Sequence, residues 1–364
     1  MRFGSKHGGY VAGVLFVKKD LSVHGCGGTR QIGYTAVNTA KFAMECGSMH
    51  ERIVTVMGPT ASGKSALGVE LARALDGEII SADAFQVYRG LDIGTAKITP
   101  AEADGIPHHL IDIKEVTDSY TAAEFCRYAR QLIAEITARG RVPLIVGGTG
   151  LYVQALLEGY VFPECGASQD AYVRWEELYA REGLDGLVRA MRERSPEYFE
   201  THPVPDKQRL IRALTVLTAG GDYRAGKASE RPIYPGPVYA LWPEREWMYA
   251  RIDARVGQMI EDGLEAEARR LYDRCNGRQP QAAKGIGYKE WWLYFEGEQT
   301  LARTVELIRR NTRRFAKRQQ TWLRRMRYIE RIPMTEDMRP VRSVEELANE
   351  IRQKWSERYD GYED

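Results

Sequence analysis

One short stretch of the chain has the residue types and spacing of a phosphate-binding loop. It matches the P-loop pattern G-x4-G-K-[ST] in full and consists of Gly58, Pro59, Thr60, Ala61, Ser62, Gly63, Lys64 and Ser65. An apolar run precedes it and a helical pattern follows it, which is the context that this motif requires. The glycines allow backbone N–H groups to point at phosphate, and Lys64 adds a mobile positive charge. We therefore predict that all of these residues bind a diphosphate or triphosphate, with the hydroxyl of Ser65 as a ligand of Mg²⁺.

Asp83 is a candidate catalytic residue because it ends the strand that follows the P-loop helix. ATPases and GTPases with a P-loop usually have a Mg²⁺-binding Asp at the end of another apolar strand. Here the strand at 142–146 leads into a glycine-rich turn, 147–150, that has no acid. The carboxyl ends of parallel strands line the ligand crevice, so we expect Asp83 near the phosphates. Its role is then general base or Mg²⁺ contact through water, and a helix N-cap is the alternative.

The elements that position these residues follow from the apolar periodicity. Short apolar runs predict strands at 53–57, 78–83, 109–113 and 142–146. Between them, apolar residues at helical spacing follow the P-loop and the capping box Thr121-x-x-Glu124. This alternation predicts an α/β fold of the P-loop NTPase type, a parallel sheet with helices on both faces.

The sequence pattern changes after Gly159, and this change predicts the domain organisation. Residues 165–235 carry helical patterns and no convincing strand, and Val238–Trp242 then returns to the sheet. We predict an inserted all-helical domain at 165–235 within an α/β core formed by 51–164 and 236–335. Residues 336–364 form a C-terminal helix and an acidic tail in this prediction. Residues 1–50 lack periodicity and are predicted to be a disordered extension, with Met49 as a candidate natural start.

Composition excludes several classes of protein. The chain has 364 residues, of which 43% are apolar and 28% charged, as expected for about two globular domains. No apolar run approaches the ~20 residues of a membrane-spanning helix, and no secretory signal is present. The five cysteines are an odd number without a CxxC spacing, which argues against zinc and disulfides. We predict a soluble cytoplasmic protein that does not contact a membrane.

The charge is concentrated near the C-terminus. The net charge is +2, yet residues 301–330 contain ten Lys or Arg and two acids, a net of +8. Two rows of cations recur at every fourth position: Arg310, Arg314 and Arg318, and Arg309, Arg313 and Lys317. Helical spacing puts these rows on neighbouring faces of one helix. Like-charge repulsion makes such a stripe costly without a polyanion, so we predict a nucleic-acid or phosphate-rich partner.

Six motifs, in order, resemble the tRNA dimethylallyltransferase family, also called tRNA isopentenyltransferases. The segments that carry the resemblance are 81–97, 107–112, 147–152, 206–214, 285–290 and 314–322. The resemblance covers about residues 51–332. Ala84 stands where many relatives have serine, and the stretch after Leu217 also departs from the family pattern.

The resemblance implies a specific reaction. A dimethylallyl group moves from dimethylallyl diphosphate to N6 of adenosine 37 in tRNAs that read codons beginning with U, and pyrophosphate leaves. Asp83 is implied as the base that takes the N6 proton, and Thr149 as the residue that orients groups beside the reacting nitrogen. Lys64, the loop N–H groups and Mg²⁺ are implied to stabilise the charge on pyrophosphate. The adenine must leave its stack to reach the allylic carbon.

The resemblance also implies contacts with the tRNA anticodon stem-loop and no obligate protein partner. The implied tRNA-binding residues are Asp83, Ala84, Phe85, Gln86, Thr149, Arg174, Gln208, Arg209, Leu210, Ile211, Arg212, Arg314, Lys317 and Arg318. The basic stripe at 309–325 is expected to bind backbone phosphates, which predicts that affinity for tRNA falls strongly with salt.

Three other functions stay open on the residues. A related enzyme that prenylates free AMP, ADP or ATP needs the P-loop and Asp83, but neither the insertion nor the basic segment. A small-molecule kinase fits the P-loop, which is typical of nucleotide-binding, ATP-binding proteins, but the acid on the strand at 142–146 is missing. A non-catalytic RNA-binding module explains the basic stripe, but not the P-loop together with Asp83 and Thr149.

Overall fold

The computed structural model describes residues 51–162, 169–223 and 228–357, together with the backbone of three short strands nearer the N-terminus. These strands are β1 (Tyr10–Val11), β2 (Val14–Lys18) and β3 (Tyr34–Val37), and they form an antiparallel sheet in the order β1-β2-β3. The sequence patterns predicted no strand there. The rest of the predicted disordered extension, 1–50, and the acidic tail from 359 onward lie outside the described residues.

The core is built on one parallel sheet. Its strands are β4 (Val54–Met57), β5 (Gly77–Ser81), β6 (His108–His109), β7 (Val142–Gly147), β8 (Val238–Trp242) and β9 (Glu330–Pro333). The strand order is β6-β5-β7-β4-β8-β9, and every neighbouring pair is parallel. The strand before the P-loop, β4, lies at the centre, where Met57 is in register with Gly147 and Ala240. The P-loop therefore begins beside the carboxyl ends of β7 and β8.

Helices make up most of the other described residues. In order, they are α1 (Lys64–Leu75), α2 (Pro100–Ala103), α3 (Ala122–Ala138), α4 (Gly150–Leu157), α5 (Gln169–Arg194), α6 (Tyr198–Thr201), α7 (Lys207–Thr218), α8 (Arg245–Glu261), α9 (Leu264–Arg274), α10 (Trp292–Phe295), α11 (Leu301–Leu323) and α12 (Val344–Glu357). Two short 3₁₀ helices, Ala282–Lys284 and Lys289–Trp291, lie between α9 and α10. None of the helices in the described ranges is long and apolar enough to cross a membrane.

The helices cover both faces of the sheet, which confirms the predicted fold class. On one face, Leu71 of α1 and Ile351 of α12 share a buried apolar cluster with Val56. On the other face, α3, α4, α8, α9 and α11 contribute to a second and larger cluster. Each strand of the centre is buried from both sides, since Val54–Met57 and Gly77–Ser81 expose almost nothing. This two-sided burial explains why the sequence shows continuous apolar runs and no alternation.

The inserted helices form a small core of their own. Trp175, Leu187 and Met191 of α5 pack against Leu210 and Leu214 of α7. The helix α7 begins as the sequence predicted, because the carboxylate of its N-cap, Asp206, accepts the N–H of residue 209 at 2.9 Å. Between β7 and β8 the described ranges 169–223 and 228–237 contain no strand, as predicted. The domain boundaries at 164 and 235 stay predictions.

One predicted strand is much shorter than the sequence suggested. The apolar run at 109–113 predicted a strand of five residues, but β6 ends at His109. The next residues leave the extended conformation, since Leu110 has φ 62° and Asp112 has φ 54°. The chain then pairs with the segment after β5, where Asp112 donates its N–H to the carbonyl of Gln86 at 3.2 Å. A turn buries Leu110 and half-buries Ile111 and Ile113, and a periodicity argument cannot distinguish such a turn from a strand.

Candidate active site

The P-loop has the backbone geometry of an anion-binding turn. Ala61 and Gly63 both adopt left-handed conformations, with φ of 62° and 89°. Such turns direct successive backbone N–H groups into one concavity, and the helix α1 adds its positive N-terminal end. The first glycine of the motif has a packing reason, because a Cβ at Gly58 would lie 2.5 Å from Oγ of Ser62. The loop is thus shaped for phosphate by its own sequence.

Lys64 stands at the start of α1 with its charge held inside the site. Its Nζ lies 3.5 Å from the carbonyl oxygen of Pro59. Burial lowers the pKa of Lys64 to about 8, while the negative charge of Asp83 acts in the opposite direction. The positive charge of Arg255 lowers the pKa of Lys64 further. An anion that enters this loop therefore meets a cation that lacks a close carboxylate partner among the described residues.

Arg255 on α8 acts electrostatically on Lys64 and Asp83, and the sequence analysis did not single it out. Burial is the main cause that lowers the pKa of its guanidinium, and the charge of neighbouring Arg251 adds to that effect. Asp83 and Glu102 act in the opposite direction. The sequence did contain a signal, since Arg255 lies three residues after Ile252 and thus on the apolar face of its helix. An arginine on a buried face needs an anionic partner or ligand.

The two carboxylate oxygens of Asp83 have different surroundings. Oδ1 accepts the N–H of Phe85 at 2.9 Å and the N–H of Gln86 at 3.3 Å. Asp83 thus caps a turn and is not the helix N-cap that the sequence offered as the alternative, since residues 82–99 contain no helix. No described residue hydrogen-bonds to Oδ2, and the charges of Lys64 and Arg255 are close enough to interact with this carboxylate. Asp83 therefore caps its own turn and still presents one free oxygen to the site.

Thr149 is brought to the same edge of the sheet by a tight backbone contact. Its N–H donates to the carbonyl of Ala82 at 3.2 Å, and its Oγ1 accepts the N–H of Ala84 at 3.1 Å. The contact is possible because Gly147 has no side chain, since a Cβ there would lie 2.2 Å from the carbonyl oxygen of Ala82. Thr149 and Asp83 thus border one crevice, and the hydroxyl hydrogen of Thr149 has no acceptor among the described residues.

Two predicted tRNA-binding residues beside the crevice have structural contacts. The side chain of Gln86 accepts from Oγ of Ser81 at 3.0 Å and donates to the carbonyls of Thr95 and Ala96 at 3.4 and 3.3 Å. Its amide is therefore held within the protein on both its oxygen and its nitrogen, and its contact with tRNA stays a prediction. The ring of Phe85 is half-buried and packs against Gly285. A Cβ at Gly285 would lie 3.0 Å from the nearest ring carbon of Phe85. Ala84 is also half-buried beside Thr149.

The insertion separates its predicted tRNA-binding residues into two groups. Gln208, Arg209 and Arg212 are exposed on one side of α7. Leu210 and Ile211 are completely buried in the core of the insertion, so their side chains cannot contact tRNA, and the prediction was wrong for them. Motif membership did not reveal this difference, which follows from the helical period. Arg174 is exposed on α5, with its guanidinium 5.8 Å from the ring centre of the neighbouring tryptophan.

The basic stripe is narrower than the sequence pattern suggested. Arg314, Lys317 and Arg318 are exposed on α11, and no described carboxylate lies within ion-pair distance of them. Arg313 instead forms an ion pair with Asp253 of α8, at 2.6 Å. The sequence analysis predicted an uncompensated stripe because it considered only acids within the same segment. The opposite side of α11 is buried against the core.

Fold and site together define a class of protein. A parallel α/β sheet with a complete P-loop at its centre, beside two half-buried cations and a free carboxylate oxygen, defines a protein of the P-loop α/β class. The sequence model of the family described as IPP transferase matches residues 86–326. The chain therefore belongs to the IPP transferase family.

Relatives and solved structures agree with this assignment. The tRNA dimethylallyltransferase of Geobacillus kaustophilus is 44% identical over 84% of this chain and 98% of its own length. That of Streptococcus sanguinis is 47% identical over 76% of this chain and 90% of its own length. The crystal structure of the tRNA isopentenylpyrophosphate transferase from Bacillus halodurans is similar, with a TM-score of 0.63 and 39% identity; the match covers 85% of this chain and 98% of that one. The structure of a eukaryotic dimethylallyltransferase acting on tRNA is also similar, with a TM-score of 0.66 and 25% identity; the match covers 78% of this chain and 73% of that one. The family resemblance drawn from the six motifs is confirmed.

Proposed function

We propose that this protein transfers a dimethylallyl group from dimethylallyl diphosphate to N6 of adenosine 37 in tRNAs that read codons beginning with U. Membership of the IPP transferase family supports the reaction class. The observation that carries the proposal is the juxtaposition of a P-loop with the free oxygen of Asp83, which interacts with Lys64 and Arg255. A leaving diphosphate and a proton acceptor are the two requirements of alkyl transfer to an amine.

The transfer breaks one bond and forms another, and residues of the site can accept the charge and the proton that are released. The bond between C1 of the dimethylallyl group and the diphosphate oxygen breaks, and a bond from N6 to C1 forms. Pyrophosphate leaves with the electron pair, and its growing charge meets Lys64, Arg255 and the loop N–H groups. The proton lost by N6 passes to Oδ2 of Asp83, whose Oδ1 stays fixed by its backbone contacts. The free hydroxyl hydrogen of Thr149 is suited to orient the adenine ring.

The residues around the loop fit a Mg²⁺ ion that is held mainly by the substrate. The described residues contain no cluster of three His, Cys, Asp or Glu side chains for an all-protein metal site. The hydroxyl of Ser65 is exposed in the first turn of α1 and has no partner among the described residues. Mg²⁺ keeps several waters and binds through one or two protein ligands plus phosphate oxygens, so Ser65 suffices. When bound, the ion neutralises charge on the departing pyrophosphate.

The exposed cations favour tRNA over a free nucleotide as the acceptor. Arg209 and Arg212 on the insertion, and the free cations of α11, have no function in the prenylation of AMP, ADP or ATP. They suit the closely spaced phosphates of an RNA stem-loop. A cytoplasmic location and the absence of an obligate protein partner are part of the same proposal.

The experiment is transfer of radiolabel from allyl-labelled dimethylallyl diphosphate, with Mg²⁺, to an unmodified tRNA that has adenosine at positions 36 and 37. Asp83→Asn is the sharpest variant, because an amide oxygen still caps the turn while the base is lost. We expect kcat to fall roughly 10²–10⁴-fold, with a much smaller change in tRNA affinity. Asp104→Asn, an exposed acid paired with Arg73, is the matched control and should behave as wild type.

Other outcomes distinguish the alternatives. Label that passes to free AMP but not to tRNA identifies a nucleotide prenyltransferase. No transfer to either acceptor, together with phosphoryl transfer from ATP, identifies a kinase. Full activity of Asp83→Asn with tRNA leaves the reaction standing and removes Asp83 as the base.

A further inference from the structure

The buried side of α11 is hydrogen-bonded to the P-loop through the side chain of Gln319. Its Oε1 accepts the backbone N–H of Thr60 at 2.8 Å, and its Nε2 donates to the carbonyl of Gly148 at 2.9 Å. Only 8% of Gln319 is exposed. Gly148 leaves space for this amide, because a Cβ there would lie 2.4 Å from Nε2. One side chain therefore joins the loop that holds diphosphate to the turn that carries Thr149.

The identity of the side chain matters for this bridge. It must accept from an N–H on one side and donate to a C=O on the other, and a neutral amide of this length does both. A buried polar group that loses its partner costs free energy, so leucine would leave both backbone groups unpaired. A carboxylate would still accept from Thr60 but would face the carbonyl oxygen of Gly148 without a hydrogen to donate.

The same helix meets the acceptor side of the site and the surface. One turn beyond Gln319, the ring of Trp322 packs so closely on Gly150 that a Cβ there would lie 2.4 Å from it. Two exposed cations, Lys317 and Arg318, directly precede Gln319 in the sequence. The helix that is expected to hold the tRNA backbone on its outer side therefore touches the P-loop and the turn at 147–150 on its inner side.

We propose that Gln319 is a positioning residue for the transfer reaction, which fixes the P-loop relative to the Thr149 turn so that leaving group and acceptor stay aligned. This inference rests on the proposed function. Gln319 acts through the backbone of Thr60 and Gly148, and it does not touch the reacting atoms. Its loss lets the two segments separate, which weakens diphosphate binding and misaligns the acceptor while the outer face of α11 stays intact.

The neighbouring Gln320 provides a matched control. It lies on the same helix, is 9% exposed, and donates from Nε2 to the carbonyl of Pro243 at 3.3 Å. Gln320→Leu therefore removes a buried amide and one hydrogen bond at a point away from the P-loop. A general loss of helix packing should affect both glutamines alike, whereas positioning of the site depends on Gln319 alone.

The test compares Gln319→Leu, Gln319→Glu and Gln320→Leu as full-length proteins. We expect Gln319→Leu to lower kcat/KM for dimethylallyl diphosphate roughly 10- to 100-fold and to weaken pyrophosphate binding by calorimetry at least several-fold. Its tRNA affinity in filter binding should match wild type. Gln320→Leu should leave all three quantities unchanged. Equal losses in Gln319→Leu and Gln320→Leu, or a wild-type kcat/KM in Gln319→Leu, would overturn the inference.

Gln319→Glu adds a readout that a purely structural role would not give. A protonated carboxyl can donate to the carbonyl of Gly148 and restore the bridge, whereas the carboxylate cannot. We expect the activity of Gln319→Glu relative to wild type to rise as the pH falls, and a flat ratio would contradict the bridge. Because pyrophosphate binding needs no turnover, it tests Gln319 even if wild-type protein transfers no prenyl group, an outcome that would defeat only the proposed function.

Discussion

At the residue scale, the site depends on charges that the fold holds close together and partly away from water. Lys64 and Arg255 come from opposite parts of the chain, and burial disfavours the charged form of both. Asp83 offsets part of this cost, but its Oδ1 is already committed to the backbone. Glu102 acts on Arg255 as well, but Arg251 adds a third cation, so cations still outnumber carboxylates in the site. A diphosphate supplies the missing negative charge, so the cost of holding unpaired cations in the free protein favours binding of an anionic ligand.

The titration of Lys64 makes diphosphate binding dependent on pH. Since its pKa in the free protein is about 8, Lys64 loses its charge as the pH rises through that value. Bound diphosphate favours the ammonium form and raises this pKa, so binding above about pH 8 takes up a proton and weakens as the pH rises. The last ionisation of an alkyl diphosphate resembles that of a phosphate monoester, near pH ~6, and does not interfere.

Calorimetry in two buffers of different ionisation enthalpy measures this proton uptake at about pH 8.5. We expect uptake of a substantial fraction of one proton by wild type. Lys64→Arg keeps its charge over this range and should take up none. Wild-type affinity that stays constant from about pH 7 to 9 would show that Lys64 is charged throughout.

At the element scale, α9 anchors the loop that follows Asp83 in the chain. The carboxylate of Glu267 accepts the N–H groups of Asp92, Ile93 and Gly94 at 2.9–3.0 Å, and the hydroxyl of Tyr288 at 2.7 Å. Gly94 is required, because a Cβ there would lie 2.5 Å from the Tyr288 ring. Burial and Glu267 raise the pKa of Tyr288 well above its usual value, which keeps it a donor. Two of the six family motifs thus meet in a structural lock.

Glu267→Gln tests the energy of this lock. The amide keeps one acceptor but turns its NH₂ group toward backbone donors, so charge-assisted hydrogen bonds are lost. We expect the free energy of unfolding to fall by roughly 1.5–3 kcal/mol, measured by urea denaturation. Glu261→Gln, an exposed change on α8, should leave the midpoint unchanged. Equal midpoints for the two variants would indicate that the four hydrogen bonds add little.

At the scale of the whole molecule, α11 divides its two faces between core and surface. Ile308, Ala316 and Leu323 are buried on the inner face. The outer face carries Arg314, Lys317 and Arg318, with no described carboxylate near enough to neutralise them. This arrangement leaves a fixed positive surface on the same side of the sheet as α8, which contributes Arg255.

The salt dependence of tRNA binding tests this surface. Each lost phosphate contact should reduce the slope of log affinity against log salt by roughly 1, so replacing all three cations by glutamine should reduce it by about 2–3. Arg73→Gln is the control, because Arg73 lies on α1, on the other face of the sheet, and pairs with Asp104. Filter binding over a range of salt gives the slopes. An unchanged slope in the triple variant would exclude these cations as phosphate contacts.

Features that depend on neighbours along the chain could be predicted from the sequence. The P-loop, the capping box at Thr121, the N-cap at Asp206 and the amphipathic helix α11 all have the structure that their local patterns predicted. Helical period, capping and turn geometry are set within a few residues, so a single sequence suffices for them. The α/β alternation then determined the fold class, since connections between parallel strands follow few rules.

Which of these residues meet depends on tertiary packing. Gln319 bonds to Thr60 across 259 residues, and the charge of Arg255 acts on Lys64 from a helix that no motif identified. The packing also removed candidates, because the side chains of Leu210 and Ile211 are buried in the insertion. Such contacts depend on how whole elements pack, and a motif records residue types without recording the direction of a side chain. The sequence therefore indicated the kind of chemistry. The contacts of each side chain were set by the packing of distant segments against one sheet.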